Sequence, residues 1–136
     1  MNKVLIDTNV LIYTVDADSQ YHHQSQGFLF NSANELFTTS KNISEFLSVI
    51  TRGKNPVSIE NAIKAADDFL TFIKILFPAE HSHIRFKKLL LRYKPSGLSV
   101  HDFEIAAIAL SNNISQIATF NYNDCTPIKE ITLIKL

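Results

Sequence analysis

Apolar and polar positions alternate between two rhythms along this chain, short solid apolar blocks and stripes of helical period. Val4 to Ile6 is a block of strand type, and the "NVLIYTVDA" after it predicts a short helix beginning at Asp7 or Thr8. Tyr21 to Asn31 reads as a second helix, with Gly27 as its weak point. "ELFTTS" from Glu35 predicts a second strand whose polar end caps the helix "KNISEFLSVITR", where Ile43, Phe46, Leu47 and Ile50 recur at helical spacing. "SIENAIKAADDFLTFIKILF" places Ile59, Ile63, Ala66, Leu70 and Ile73 on one stripe, and Ile73 to Phe77, before Pro78, predicts a third strand. Glu80 to Tyr93 is an amphipathic helix, and "SVHDFEIAAIALSNN" one that is apolar almost all round and therefore buried. "QIATF" and "ITLIK" are the last two strands, separated by the turn-rich "NYNDCTP".

Strands alternating with helices predict an α/β fold with a central, largely parallel five-stranded sheet. In such sheets the loops leaving the strand C-termini form the binding crevice, so residues just after different strands meet there. Four acids lie near such positions: Asp7 after the first strand, Glu45 one turn into the helix after the second, Asp102 in the first turn of the buried helix, and Asp124 within five residues of "QIATF".

Each acid has an ordinary explanation. Asp7 can cap the helix it precedes. "SVHD" has the spacing of a capping box, with Ser99 as cap and Asp102 reaching back. Glu45 fits the solvated edge of an apolar stripe, and Asp124 is an ordinary turn former. Together they are harder to dismiss, because gathered carboxylates repel one another and raise each other's pKa. A divalent cation reverses that sign. Hard oxygen ligands suit Mg2+ or Mn2+, which lowers the pKa of water and neutralises charge in phosphodiester hydrolysis.

Composition narrows this picture. The 136 residues, 46% apolar and 19% charged, fit one domain, residues 1–136, with a real core. Thirteen bases cancel thirteen acids, so no overall positive field advertises a polyanion partner. Five of the thirteen bases nevertheless fall within "RFKKLLLRYK", where Arg85, Lys88 and Arg92 share a helix face; they are candidate phosphate contacts, or simply the solvated side opposite Phe86, Leu89 and Tyr93. The single cysteine, Cys125, excludes an internal disulfide and a cysteine-based zinc cage. The adjacent His22 and His23 diverge on a helix, His81 and His83 behave similarly, and His101 is ordinary beside Asp102. There is no basic leader and no apolar run of membrane-spanning length, so the expected location is cytoplasmic.

"LIDTNVLIY", "ISEFLSVI", "LSVHDFEIAAIALSNN" and "IATFNYNDC", in this order and at these separations, resemble the motifs of the PIN-domain nucleases, most of all the VapC-type toxins of prokaryotic toxin–antitoxin pairs. The resemblance covers nearly the whole chain. It implies a three-layer α/β/α fold and a Mg2+- or Mn2+-dependent endoribonuclease that cuts single-stranded or loop RNA, leaving 5′-phosphate and 3′-hydroxyl ends. It implies that Asp7 and Asp102 are metal ligands, that Glu45 holds a metal-bound water, and that Asp124 completes the catalytic quartet. Thr8 and Asn9 would support Asp7, with Thr119 and Asn121 supporting from the far strand. A cognate antitoxin and a homodimer are the implied partners. Asn121 stands where many relatives carry an acid, and Cys125 where an aromatic usually follows the last aspartate. The rival readings are a non-catalytic PIN-like module gripping RNA or a peptide, and a general RNA-processing nuclease without an antitoxin.

Overall fold

The computed structural model describes residues 1–121 and 127–136; Asp124 and Cys125 lie outside the described residues. In chain order the elements are β1 (Lys3–Ile6), α1 (Thr8–Val15), α2 (His22–Phe30), β2 (Glu35–Thr39), α3 (Ser40–Ile50), α4 (Ile59–Phe69), β3 (Lys74–Leu76), α5 (Glu80–Tyr93), α6 (Ser99–Ser111), β4 (Gln116–Thr119) and β5 (Thr132–Lys135). The five strands form one sheet in the order β3-β2-β1-β4-β5, and every pairing is parallel. β1 is central, with Val4 opposite Leu36 on one side and Leu5 opposite Ile117 on the other.

Being central explains why β1 is solidly apolar: its alternate side chains enter two cores. Val4 and Ile6 join Val10, Leu11, Leu29, Phe46 and Phe69 beneath α1 to α4. Leu5 points the other way, with Phe37 and Ile117, against Ile105 and Ala109 of α6. α5 then packs outside α6 through Leu89, Phe103 and Ala107. These helical layers enclose the sheet, the α/β/α arrangement expected from the sequence.

Most elements match their expected bounds, with the third strand trimmed to Lys74–Leu76. Thr39 caps α3 by accepting from the Asn42 N–H, as the polar end of "ELFTTS" suggested. Two expectations fail. In α4 the buried face is Ala62, Ala66 and Phe69, while Ile59 and Ile63 are 50% and 47% exposed. Small Ala62, fully buried, lies on the side turned to the core and Ile59 and Ile63 turn outward, while Ala66 and Ile73 of the expected stripe are buried. The capping box at "SVHD" does not form either: Leu98 is the N-cap of α6, without a side-chain cap bond, and Ser99 already lies inside the helix. Among the described residues no helix is long and apolar enough to cross a membrane.

Candidate active site

The order β3-β2-β1-β4-β5 reverses between β1 and β4, since the chain runs outward from β1 to β3 and then crosses to β4. Such a switch point opens a crevice at the strand C-termini, because the connections leave in opposite directions. Asp7 sits at its floor. Its backbone N–H donates to the Ala118 carbonyl of β4 at 3.0 Å, tying the two strand ends together.

Asp7 does cap α1, Oδ1 accepting from the Thr8 N–H at 2.9 Å, but the same carboxylate has two further donors. The Thr119 hydroxyl donates to Oδ2 at 2.8 Å, and Nδ2 of Asn42 reaches Oδ1 at 3.4 Å. Thr119 is itself held from both sides, accepting from Asn9 Nδ2 at 3.0 Å and from the Asn121 N–H at 3.1 Å. Asn9 closes the loop by accepting from the Phe120 N–H at 3.2 Å. Thr8, Asn9, Thr119 and Asn121 thus form one network beneath Asp7. Burial pushes the Asp7 carboxyl above the ordinary aspartate range, against the opposing pull of the Thr119 and Thr8 hydrogen bonds.

Glu45 comes from α3 and is reached through Thr8, whose hydroxyl donates to Oε2 at 3.2 Å. Asp102, from the first turn of α6, stands exposed at the rim and makes no hydrogen bond among the described residues. Its carboxyl is also raised, first by desolvation and then by the negative charges of Asp7 and Glu45, against a smaller opposing pull from His101. Three acids from three separate elements therefore share one electrostatic neighbourhood. Among the described residues no lysine or arginine pairs with any of them; the ion pairs are Lys41–Glu104, Lys74–Glu35 and Arg92–Glu130.

The donor set is entirely oxygen, carboxylates backed by hydroxyls, which suits a hard divalent cation. Among the described residues no three His, Cys, Asp or Glu side chains are gathered tightly enough to hold an ion unaided.

The family model described as PIN domain matches residues 4–124. The chain belongs to the PIN-domain family. This PIN domain is 29% identical over 121 residues to Ribonuclease VapC43 of Mycobacterium tuberculosis, an overlap covering 83% of this chain and 82% of that protein. VapC ribonuclease Mb2897 of Mycobacterium bovis matches to the same extent, 29% over 121 residues. Among solved structures, VapBC2 from Rickettsia felis, bound to a DNA fragment from its promoter, is similar with a TM-score of 0.75 at 17% identity over 98% of both chains. DNA-bound VapBC from Salmonella typhimurium gives 0.72 at 22% identity, covering 99% of this chain and 98% of that one. VapC20 of M. tuberculosis, described as a sarcin-ricin loop cleaving toxin, gives 0.69 at 14% identity over 89% and 93%. At these identities the structural likeness concerns the fold.

Within this PIN domain, Asp7, Glu45 and Asp102 converge, whereas Arg85, Lys88 and Arg92 do not join them. Those three line a separate depression on α5 together with Glu130, 3.5 Å from Arg92. One residue escaped the sequence reading, Asn42. It is fully buried, and its amide orientation is set by Oδ1 accepting from the Thr39 N–H at 3.2 Å and the Thr39 hydroxyl at 2.6 Å. Nδ2 is therefore turned toward Thr8 Oγ1, at 3.0 Å, and Asp7. The spacing Thr39-x-x-Asn42 at the start of α3 was the available signal, and it suggests only a cap.

Proposed function

We propose that this PIN domain is a divalent-metal-dependent endoribonuclease and the toxin of a toxin–antitoxin pair. The observation that carries the reading is the convergence of Asp7, Glu45 and Asp102 at the switch point, with no lysine or arginine among the described residues ion-paired to any of them. Asp124, outside the described residues, is assigned as the fourth acid on the resemblance of "IATFNYNDC" to the family motif.

Asp7 and Asp102 are the proposed ligands of Mg2+ or Mn2+, and Glu45 and Asp124 shape its water shell. When bound, such an ion supplies Lewis-acid neutralisation of phosphate charge and makes water a better nucleophile near neutral pH. The chain supplies the positioning. Thr119, the Thr8 N–H and Asn42 hold Asp7 in one orientation, so little reorganisation is needed on loading. Glu45 has Oε2 tied to Thr8, which leaves Oε1 to accept a proton from the water that attacks phosphorus. Hydrolysis by water with departure of the 3′ oxygen leaves 5′-phosphate and 3′-hydroxyl ends.

RNA as substrate is supported by the ribonuclease names of the relatives and by the loop-cleaving description of VapC20. A protein antitoxin is proposed because several structural neighbours are VapBC assemblies, and a homodimer on the family resemblance alone.

The test is cleavage of a stem-loop RNA with Mg2+ or Mn2+, in parallel with calorimetric Mn2+ titration. Wild type is expected to cut and to bind the ion, and Asp7→Asn and Asp102→Asn to lose both. RNA binding without metal-dependent cutting would favour the non-catalytic module instead.

A further inference from the structure

We propose that the RNA strand leaves the carboxylate cluster along the outer face of α3, where Arg52 grips a backbone phosphate, rather than over the basic face of α5. The inference rests on the ribonuclease reading above and concerns where the same site holds its substrate.

An open groove of about 820 Å³ runs from Glu45 and Asp102 to Arg52. One wall is the face of α3 and its following turn: Lys41, Ser44, Glu45 and Ser48 share that face through pairs three and four residues apart, and Arg52 continues it from the turn. Pro78, just beyond β3, and the start of α6, with Ser99 and His101, line it as well. The groove therefore belongs to the same C-terminal edge of the sheet as the acids and shares two of them.

Its chemistry suits a phosphodiester strand. Ser44 and Ser48 are exposed hydroxyls, able to donate to phosphate or to meet a ribose 2′-hydroxyl. Lys41 is already engaged with Glu104 at 3.1 Å, which holds its ammonium toward α6. Arg52 has no carboxylate partner among the described residues, and its backbone is anchored: its N–H donates to Val49, and nearby the Val57 N–H donates to the Ile50 carbonyl at 2.8 Å. Five residues at 1.5 Å each put Ile50, the last residue of α3, roughly 8 Å along the helix axis from Glu45, and Arg52 stands in the turn that follows, a short run of strand from the reacting phosphate. Arginine matches phosphate with a planar fork of donors.

The α5 face has more positive charge but in the wrong place. Arg85, Lys88 and Arg92 line a depression that contains none of the site acids, and Glu130 sits among them. Arg92 is 3.5 Å from Glu130 and stacks over Tyr93 at 5.5 Å. Local base count and substrate path are therefore separated in this fold.

The experiment measures binding of a fluorescein-labelled single-stranded RNA by anisotropy across a KCl series, in the cleavage-silent Asp102→Asn background. Arg52→Ala is compared there with the Arg85→Ala/Lys88→Ala double variant. Arg52→Ala is expected to weaken binding about 5-fold and to flatten the slope of log affinity against log salt by about 0.7, one phosphate contact on a single strand. The double variant should change both by less. In the otherwise wild-type chain Arg52→Ala should raise KM while leaving kcat within about twofold, and because Arg52 is exposed the Tm should not move. Unchanged affinity in Arg52→Ala, or a larger loss in the α5 variant, would overturn the groove while metal-dependent cutting by wild type still stood. Failure of wild type to cut RNA would instead remove the ribonuclease reading and this inference with it.

Discussion

Truncating Asn42 to alanine separates positioning of the site from ordinary helix capping. In the folded protein the Asn42 amide serves four partners: it accepts from the Thr39 N–H and hydroxyl and donates to Thr8 Oγ1 and Asp7 Oδ1. The residue is 0% exposed, so water has no ready access to the groups it leaves behind. Leaving buried donors unsatisfied costs about 1–3 kcal/mol, and half of the α3 capping box goes with them. A net loss of about 3 kcal/mol is expected, which for a chain of this size lowers Tm by roughly 10 °C. The second effect is on Asp7, which loses a donor that fixes its carboxylate, and on Thr8, which bridges to Glu45. Loss of such an outer partner weakens metal affinity by about 10-fold or more. Calorimetric scanning without metal gives the first number and Mn2+ titration at a temperature where the variant is folded gives the second. Thr39→Val is the comparison: it breaks the same capping box and removes one of the two donors to Asn42 Oδ1 but keeps the Thr39 N–H and the whole Asn42 amide, so it should lose stability while keeping more Mn2+ affinity than Asn42→Ala. If Asn42→Ala binds Mn2+ as tightly as wild type, the residue is only a cap and the positioning argument is wrong.

Three further outcomes follow from the same geometry. Asp7 and Asp102 have carboxyls raised in the folded state, so between the ordinary value of about 4 and their raised values the native protein holds more protons than the unfolded chain, and stability falls as pH rises. Metal-free protein should therefore melt higher at pH 5 than at pH 7, Asp102→Asn should flatten that difference, and saturating Mn2+ should reverse it; a metal-free Tm that climbs toward pH 7 would contradict the crowding. Glu35 and Glu130, lowered by their Lys74 and Tyr93 hydrogen bonds, act in the opposite sense but only at lower pH, where folding loses them as they protonate. Thr119→Val, nearly isosteric, removes the hydroxyl that donates to Asp7 and accepts from Asn9 and Asn121, and should cost about 1–3 kcal/mol in denaturant melts together with weaker Mn2+ binding. On α4, Ala62→Leu should destabilise by about 1–3 kcal/mol through overpacking, whereas Ile63→Lys should stay within about 0.5 kcal/mol in the same melts; equal losses would contradict the observed burial of that helix.

Much of the fold was legible because each rhythm has a local cause. β1 reads as a solid apolar block since both its faces are covered, and α6 reads as apolar all round since it packs between the sheet and α5. The helix starts at Asp7 and Thr39 were visible in single residues that accept backbone N–H bonds. The positions of Asp7 and Glu45 after their strands, and of Asp102 at the start of the helix leading into β4, were likewise readable, because in a parallel sheet chain order already assigns strand ends and helix starts to one edge.

Other features depended on how the elements came together. Strand order places β1 beside β4, and with it Thr119 beneath Asp7, across 112 residues of chain that no local pattern spans. The inward face of α4 was decided by which helix surface met the core, so Ala62 outranked the larger Ile59 and Ile63. Asn42, unremarked in the sequence, became the support of a carboxylate, while the densest basic stretch turned away from the acids. Local sequence thus determined the elements, most of their ends and the sheet edge on which the acids lie, because these depend on periodicity and backbone hydrogen bonding within a few residues. Which side chains touch there was decided only by tertiary packing, because burial and desolvation are properties of elements that meet in space and not of neighbours along the chain.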